Sequence, residues 1–214
     1  MNNGSREAGR AVKAVIFDYG NVLCRLDRPA VDRSFAARCG LTPEEAGARI
    51  WGGDLERELE TGAIDSREHF ERLRLALGAQ ASWRYEEFAE EYMACLLPHP
   101  EGEAALVAAA RSGLRTFILS NTSFLHSRAI FQNETLATIP EIYALSYKLG
   151  FMKPDPRCWL WLLERASLRP EECLYVDDVE AYCEAAEKLS LRALRYDYRS
   201  ENLLQKLRAA LQFA

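Results

Sequence analysis

Residues 12–23, VKAVIFDYGNVL, decide the fold of this chain of 214 residues. An apolar run rich in β-branched residues ends at Asp18, and the turn-forming pair Gly20 and Asn21 follows it. This order is typical of a buried parallel strand that carries one carboxylate to the edge of a sheet. The stretch therefore predicts the first strand of a parallel sheet, with Asp18 at its carboxyl end.

Later apolar runs resemble the first one and alternate with helical patterns. The predicted strands are residues 114–119, 173–176, 191–196 and the shorter Ile142–Leu145. The predicted helices are residues 103–112, 156–167, 179–190 and 201–213. Strands that alternate with helices indicate an α/β fold with a Rossmann-like parallel sheet flanked by helices.

Residues 29–97 contain no convincing strand pattern and predict a small bundle of helices. Thr42 and Glu45 form a capping box, with Pro43 at the first helical position. Asp65 begins a second predicted helix, and residues 83–97 supply a third. We therefore expect a helical-bundle cap domain, residues 26–97, inserted into a core domain made of residues 11–25 and 98–214.

The composition is ordinary for a globular protein, with 49% hydrophobic and 28% charged residues. A net charge of −5 argues against nucleic acid or an anionic membrane as partner, and no apolar run has the length of a membrane span. Six scattered cysteines without a CxxC pair favour reduced thiols over disulfides or zinc. Because the polar N-terminal segment lacks the apolar core of a signal peptide, we expect a cytoplasmic location. We expect the protein to be a monomer or a homodimer.

Polar residues follow four of the apolar segments, and such positions meet at one edge of a parallel sheet. The four groups are Asp18-Tyr19-Gly20-Asn21, Ser120-Asn121-Thr122, Lys153-Pro154 and Asp177-Asp178. Each group alone also suits a turn or a helix cap. The ordered set brings together a carboxylate, a hydroxyl with an amide, a cation and two more carboxylates, and this combination predicts a ligand site.

The ordered set resembles the haloacid dehalogenase superfamily of hydrolases, over about residues 12–197 and including the inserted cap. The forms SNT and GFMKPDP, with GN in the first motif, are most similar to bacterial phosphatases of sugar phosphates such as α-D-glucose 1-phosphate. The resemblance implies that Asp18 attacks phosphorus and forms an aspartyl-phosphate. It also implies that Ser120 and the Asn121 amide bind the phosphoryl group of a small metabolite, while Lys153 offsets its charge.

The same resemblance implies a Mg²⁺ site. Its ligands would be the carboxylates of Asp18, Asp178 and Asp177 and the backbone carbonyl of Gly20. The family usually places an aspartate at the position of Gly20, where it protonates the leaving oxygen and later activates water. Losing such a general acid typically slows a reaction by about 10²–10⁴-fold. Tyr182 is a second departure, since the family often has Asp or Asn there.

Three hypotheses remain open at this point. The first is a Mg²⁺-dependent phosphatase acting on a small phosphomonoester such as a sugar phosphate. The second is a 2-haloacid dehalogenase, in which Asp18 attacks carbon and the halide leaves without a proton, although such enzymes need no metal. The third is a non-catalytic protein that binds a phosphorylated ligand or a partner.

The sequence offers several candidates for the opening of the cleft through which a substrate would enter. They are aromatic and charged residues of the cap, most of which we expect to pack in the bundle or face water: Trp51, Glu56, Glu60, Trp83 and Tyr85. Asn21 suits a turn and a phosphate contact equally well. Trp159 is expected to pack inside the core, and His126 at the core edge or surface.

Overall fold

The structure, a computed structural model, describes residues 11–211. The first element of the described residues is β1 (Ala14–Phe17), whose four residues are all buried, as the apolar pattern predicts. The end of the predicted last helix and of the predicted core domain, residues 212–214, lies outside the described residues. After β1 the chain turns at Asn21, which has a positive φ of 54°, and continues into β2 (Cys24–Leu26).

Five helices follow β2 and pack as a bundle around buried aromatic rings. They are α1 (Arg28–Cys39), α2 (Pro43–Ile50), α3 (Asp54–Glu60), α4 (Ser66–Leu77) and α5 (Tyr85–Met93). Phe88 lies at the centre, with ring centroids 5.1 Å from Phe70 and 5.2 Å from Tyr92. The predicted capping box is confirmed, because Thr42 Oγ1 accepts from Glu45 N and Glu45 Oε2 accepts from Thr42 N.

One expectation for this segment is wrong, because it does contain a strand. The predicted helix over residues 83–97 ends earlier, and β3 (Leu96–Pro98) follows α5. It pairs antiparallel with β2, so that Leu26 lies opposite Leu96. The two strands are three residues each, too short for an alternating pattern, and Pro98 has no N–H to donate. The pair joins the two chain segments that connect the helical bundle to the sheet.

The rest of the chain alternates between helices and strands, as predicted. The elements are α6 (Pro100–Arg111), β4 (Arg115–Ser120), α7 (Phe124–Gln132), α8 (Glu134–Thr138), β5 (Ile142–Leu145), α9 (Ser146–Leu149), α10 (Arg157–Ala166), β6 (Cys173–Asp177), α11 (Glu180–Glu187), β7 (Arg192–Arg195) and α12 (Leu203–Leu211). Five parallel strands form one sheet in the order β5-β4-β1-β6-β7. The predicted α/β fold with a parallel sheet is confirmed.

Both faces of the sheet are covered by helices. Val15 and Phe17 point to one face and pack in the same cluster as Leu106 of α6 and Leu207 of α12. Ile16 points to the other face and packs with α10, where Trp159 is fully buried against Tyr175, as expected. The helices of residues 11–211 include none that is both long and apolar enough to cross a bilayer.

The helix α6 packs closely against the turn after β1, and Gly102 makes this approach possible. A Cβ at Gly102 would overlap the backbone carbonyl oxygen of Val22 and lie 3.1 Å from Leu23 Cα. The contact is with backbone, so side-chain rotation cannot relieve it. Gly102 therefore helps to fix the turn that follows Asp18.

We predict that Gly102→Ala lowers the free energy of unfolding by about 2–3 kcal/mol, because overpacking against backbone outweighs the better helix propensity of alanine. Urea unfolding at constant pH measures the change. Gly53→Ala is the control, because no atom lies within 4 Å of a Cβ at Gly53. Equal midpoints for the two variants would contradict the proposed close contact.

Candidate active site

A buried ammonium group joins two strand ends at the carboxyl edge of the sheet. Lys153 Nζ donates to Asp18 Oδ1 at 2.8 Å and to Asp177 Oδ2 at 2.7 Å. Asp18 follows β1 and Asp177 ends β6, and these strands are neighbours. The Lys153 side chain is 1% exposed, so the three charges interact with little screening by water.

Asp177 is held from several sides. Its Oδ2 accepts from Lys153 and from the hydroxyl of Tyr175, while its Oδ1 accepts from Val179 N at 2.8 Å. The residue is completely buried. Because both carboxylate oxygens already accept hydrogen bonds, Asp177 is well placed to orient Lys153.

Asp178 is half-buried, lines the cleft and is held by the turn after β1. Asn21 Nδ2 donates to Asp178 Oδ2 at 2.9 Å, and Asn21 Oδ1 accepts from Leu26 N at 3.2 Å. Asn21 therefore serves as a turn residue that also positions a carboxylate. Among the described residues, the oxygens of Asp18, Asp177 and Asp178 form a cluster within 4.8 Å that could hold a metal ion.

The chemistry of this cluster suits a hard divalent cation. Three carboxylates face one ammonium group, which leaves two negative charges in excess at neutral pH if all are ionised. Carboxylate oxygens are the ligands that Mg²⁺ prefers. A bound cation would offset the repulsion that the fold imposes on these side chains.

The pKa values reflect the same crowding. Burial raises the pKa of Asp18 to about 7, because lost hydration and the repulsion of Asp177 and Asp178 outweigh the attraction of Lys153. Burial also raises the pKa of Asp178, against the hydrogen bond from Asn21. Although burial alone would lower it, Asp177 and Asp18 hold the pKa of Lys153 above its usual range.

The loop after β4 supports Lys153 through backbone contacts. Asn121 Oδ1 accepts from Lys153 N at 2.8 Å, and Asn121 Nδ2 donates to Lys153 O at 3.0 Å. The Lys153–Pro154 peptide bond is cis. Ser120 is buried at the end of β4 and lines a small cavity beside Gly20. The loop thus brings Ser120 and Asn121 to the site, with the Asn121 side chain engaged in positioning Lys153.

A cleft of about 540 Å³ lies above these residues, between the sheet edge and the helical bundle. Asp18, Lys153 and Asp178 line its core side, together with Gly20 and Asn121. The bundle contributes Arg28, Gly52, Glu56 and Glu60, and the loop after β7 contributes Tyr198 and Arg199. The structure thus brings the sequence-predicted residues of all four motifs to one place.

Tyr182 lies on the Lys153 side of the cleft. Its ring centroid is 5.1 Å from Lys153 Nζ, and its hydroxyl accepts from Asn121 Nδ2 at 3.4 Å. No hydrogen bond between Tyr182 and the three aspartates is found within residues 11–211. The tyrosine therefore packs against the cation and leaves the carboxylate cluster intact.

The mouth of the cleft contains some of the residues that were predicted from the sequence, but not all of them. Glu56 and Glu60 line it, as considered, whereas Trp83 is buried among the rings of the bundle. Arg28 and Arg199 were missed. Neither has a local signal, because each reaches the cleft only through the folded arrangement of distant segments.

Comparison with known proteins agrees with this geometry. The sequence model of the haloacid dehalogenase-like hydrolase family matches residues 12–189, well over half of the chain. The chain belongs to this family. The family resemblance predicted from the four motifs is confirmed, and the chain is a hydrolase.

The haloacid dehalogenase-like hydrolases most similar to this chain include phosphatases. Phosphatase MT3486 of Mycobacterium tuberculosis (strain CDC 1551 / Oshkosh) is 31% identical over 194 residues, which cover 87% of this chain and 88% of the relative. The D-ribitol-5-phosphate phosphatase of Bacteroides thetaiotaomicron is 26% identical over 176 residues, 78% of this chain and 83% of the relative.

A solved structure shares the fold of this haloacid dehalogenase-like hydrolase. It is a family enzyme from Bacteroides thetaiotaomicron in complex with magnesium and inorganic phosphate. It superposes with a TM-score of 0.79 at 21% identity and covers 89% of this chain and 97% of that chain. The likeness shows that the two chains share a fold.

We predict that Lys153→Met lowers the free energy of unfolding by about 3–5 kcal/mol at pH 8 in metal-free buffer, because it leaves buried carboxylates unpaired. Burial raises the pKa of Asp18 from 3.8 to about 7 in the fold, and removal of the Lys153 charge raises this pKa further. Folding then takes up a proton between these values, so stability falls as pH rises. The loss should be smaller at pH 5 than at pH 8.

Denaturant unfolding at both pH values tests this expectation. Lys188→Met removes an exposed lysine and serves as the control. A Lys153→Met variant as stable as this control at pH 8 would show that the two carboxylates do not depend on the ammonium group.

Proposed function

We propose that this hydrolase is a Mg²⁺-dependent phosphatase that hydrolyses a small phosphomonoester through an aspartyl-phosphate on Asp18. The observation that supports it is the arrangement at the cleft floor, where Lys153 bridges Asp18 and Asp177 while Asp178 faces the cleft. The phosphatase relatives and the magnesium and phosphate bound to the structural neighbour agree with this proposal.

The roles of the residues follow from their positions. An Asp18 carboxylate oxygen attacks phosphorus, and Lys153 offsets the negative charge of the nucleophile and the phosphoryl group. The Ser120 hydroxyl and the Asn121 backbone amide donate to phosphoryl oxygens. Asp177 orients Lys153 through the contacts that bury it. Bound Mg²⁺, held by Asp18, Asp178 and the Gly20 carbonyl, would neutralise charge between the two approaching anions.

The cleft favours a polar leaving group of metabolite size. Its volume of about 540 Å³ lies within the range of small-molecule sites. Arg28 and Glu56, which pair at 3.4 Å, and Glu60 offer hydrogen-bonding groups opposite Asp18. A sugar or polyol phosphate fits this lining, in line with the ribitol phosphate that one relative hydrolyses.

We predict that the purified protein releases inorganic phosphate from polyol or sugar phosphates with Mg²⁺, and that Asp18→Asn abolishes this turnover. The amide is a much weaker nucleophile than the carboxylate and also a poorer metal ligand. A malachite-green assay over a panel of phosphomonoesters, with Mg²⁺ or EDTA, measures the release. Asp155→Asn, which alters an exposed pair with Arg157, is the matched control.

Two outcomes would overturn the proposal. One is no phosphate release from any ester, with Asp18→Asn indistinguishable from the wild type, which would favour a non-catalytic protein. The other is chloride release from 2-chloropropionate without any metal requirement, which would favour a dehalogenase.

We predict that Mg²⁺ raises the melting temperature of the wild type and raises it less in Asp178→Asn, because the ion binds the folded carboxylate cluster. Protons compete for Asp18, whose pKa is raised to about 7, and for Asp178, whose pKa is also raised. The shift should therefore be larger at pH 8 than at pH 6. Equal shifts in the two proteins, or a shift that grows as pH falls, would argue against metal binding at this cluster.

A further inference from the structure

Gly20 has no side chain that could donate a proton, and Leu26 packs beside it. A Cβ at Gly20 would lie 3.0 Å from Leu26 Cδ1 and 3.7 Å from Leu26 Cγ. Leu26 belongs to β2, which β3 holds in place. A larger side chain at this position would therefore require Leu26 to shift, and the hydrocarbon side chain of Leu26 itself supplies no proton.

A residue of the helical bundle that carries a carboxyl group, Glu60, lines the same two cavities as Gly20. Glu60, the last residue of α3, lines the main cleft with Asp18 and Lys153. It also lines the small cavity of about 40 Å³ beside Gly20, together with Ser120. Glu60 is not part of the metal-ligand cluster. The side chain therefore faces the volume between the nucleophile and the bundle, where a leaving group would lie.

The residues around Glu60 fix its position. Leu59 is buried among the apolar residues of the bundle. Gly62, with a φ of 72°, packs so closely that a Cβ there would overlap the carbonyl oxygen of Tyr147 in α9. The end of α3 is therefore anchored to the bundle on one side of Glu60 and to the core on the other.

Glu60 is free to exchange a proton. Within residues 11–211, no hydrogen bond or ion pair to its carboxyl group is found. Its neighbour Glu56 is engaged by Arg28 at 3.4 Å and by the N–H of Gly52. Burial, reinforced by the charge of Glu56, raises the pKa of Glu60 to about 8, so the carboxyl group holds a proton at neutral pH.

We propose that Glu60 is the general acid and base of the phosphatase reaction, supplied by the helical bundle in place of an acid at Gly20. This inference rests on the function proposed above. The ligand class follows from the role, since only an ester with a poor leaving group, such as a primary alkoxide of a polyol or sugar, needs this proton.

The reaction balances with Glu60 in this role. Asp18 Oδ forms a bond to phosphorus, the bond from phosphorus to the ester oxygen breaks, and that oxygen takes the Glu60 proton and leaves as an alcohol. A water molecule then attacks phosphorus and gives its proton to the Glu60 carboxylate. The bond from phosphorus to Asp18 breaks, which regenerates the Asp18 carboxylate and the Glu60 acid and releases inorganic phosphate.

Another titratable group near Gly20 is less suited to this role. His126 lines the same small cavity, but its ring stacks on Tyr92 with centroids 4.4 Å apart, and its Nε2 lies 3.3 Å from Tyr92 O. Burial lowers the pKa of His126 to about 4, so it has no proton to spare at neutral pH. Glu60 remains the cleft residue that combines a free carboxyl group with access to the leaving group.

We predict that Glu60→Gln lowers kcat/KM by about 10²–10⁴-fold for D-ribitol 5-phosphate or sorbitol 6-phosphate, whichever the wild type hydrolyses faster. With p-nitrophenyl phosphate, whose phenolate leaves without a proton, the first turnover should keep its rate within about fivefold. Hydrolysis of the aspartyl-phosphate then lacks its base. Glu60→Gln should therefore release about one equivalent of p-nitrophenol in a burst before a slow steady state.

Glu58→Gln is the matched control. Glu58 lies on the same helix, two residues away, and pairs with Arg72 outside the cleft. It should retain wild-type turnover of both esters without a burst. Thermal unfolding of both variants checks that each is folded before the kinetics are compared.

The pH profile provides a further readout. With the alkyl ester, wild-type kcat/KM should fall as pH rises above about 8, because Glu60 loses its proton, and Glu60→Gln should lack this descending limb. Several other groups near Glu60 could contribute to the profile, and the comparison between the two proteins removes their effect. These groups are Asp18, Arg28, Glu56, Tyr92, His126, Lys153 and Tyr182.

The outcomes separate this inference from the function on which it rests. If the wild type hydrolyses no phosphomonoester, the proposed phosphatase activity fails. If it hydrolyses alkyl phosphates and Glu60→Gln does so equally fast, the phosphatase stands and the role of Glu60 is overturned. Wild-type activity on p-nitrophenyl phosphate but on no alkyl phosphate, or an equal loss in the first turnover of both esters, would also overturn it.

Discussion

The structure depends on one buried ammonium group placed between two strand ends. The pairing of β1 with β6 puts Asp18 beside Asp177, and burial and like-charge repulsion make that arrangement unfavourable. Lys153 compensates for it, and Asn121 holds the Lys153 backbone in the position that makes this possible. The order of the strands and the placement of the charged side chains therefore depend on each other. A change in either would leave a buried charge without a partner.

The charge that remains explains why the site suits a cation and an anion together. Lys153 balances one of three carboxylates, and the rest of the negative charge faces the cleft. A divalent ion would complete the balance, and it would also create the positive field in which a phosphoryl dianion can approach a carboxylate. The carboxylates remain crowded in the folded protein, and this crowding together with burial raises the pKa of Asp18.

Local sequence patterns predicted most of the sheet and all four motif positions. Buried parallel strands leave apolar runs, and the residue after each run must lie at the carboxyl edge. The pair of β2 with β3 was not predictable in this way, because three residues give no periodicity. The same is true of Arg28, which reaches the cleft across the boundary between bundle and core. Asp177 orients Lys153, and it is held for this by hydrogen bonds from Tyr175 and Val179 that the sequence does not show.

A proton donor on the bundle has a consequence that a donor on the core would not have. With the acid at position 20, the proton donor would lie on the same segment as Asp18, and its position would not depend on the bundle. With the acid on α3, the position of the proton donor depends on the contact of Gly62 with Tyr147, which holds the end of that helix against the core. Glu56, which lines the cleft opposite Asp18, and Glu60, the proposed proton donor, then lie on the same helix, α3. Recognition of the leaving group and chemistry at its oxygen are thereby linked, so a substrate that does not engage the bundle also lacks its acid.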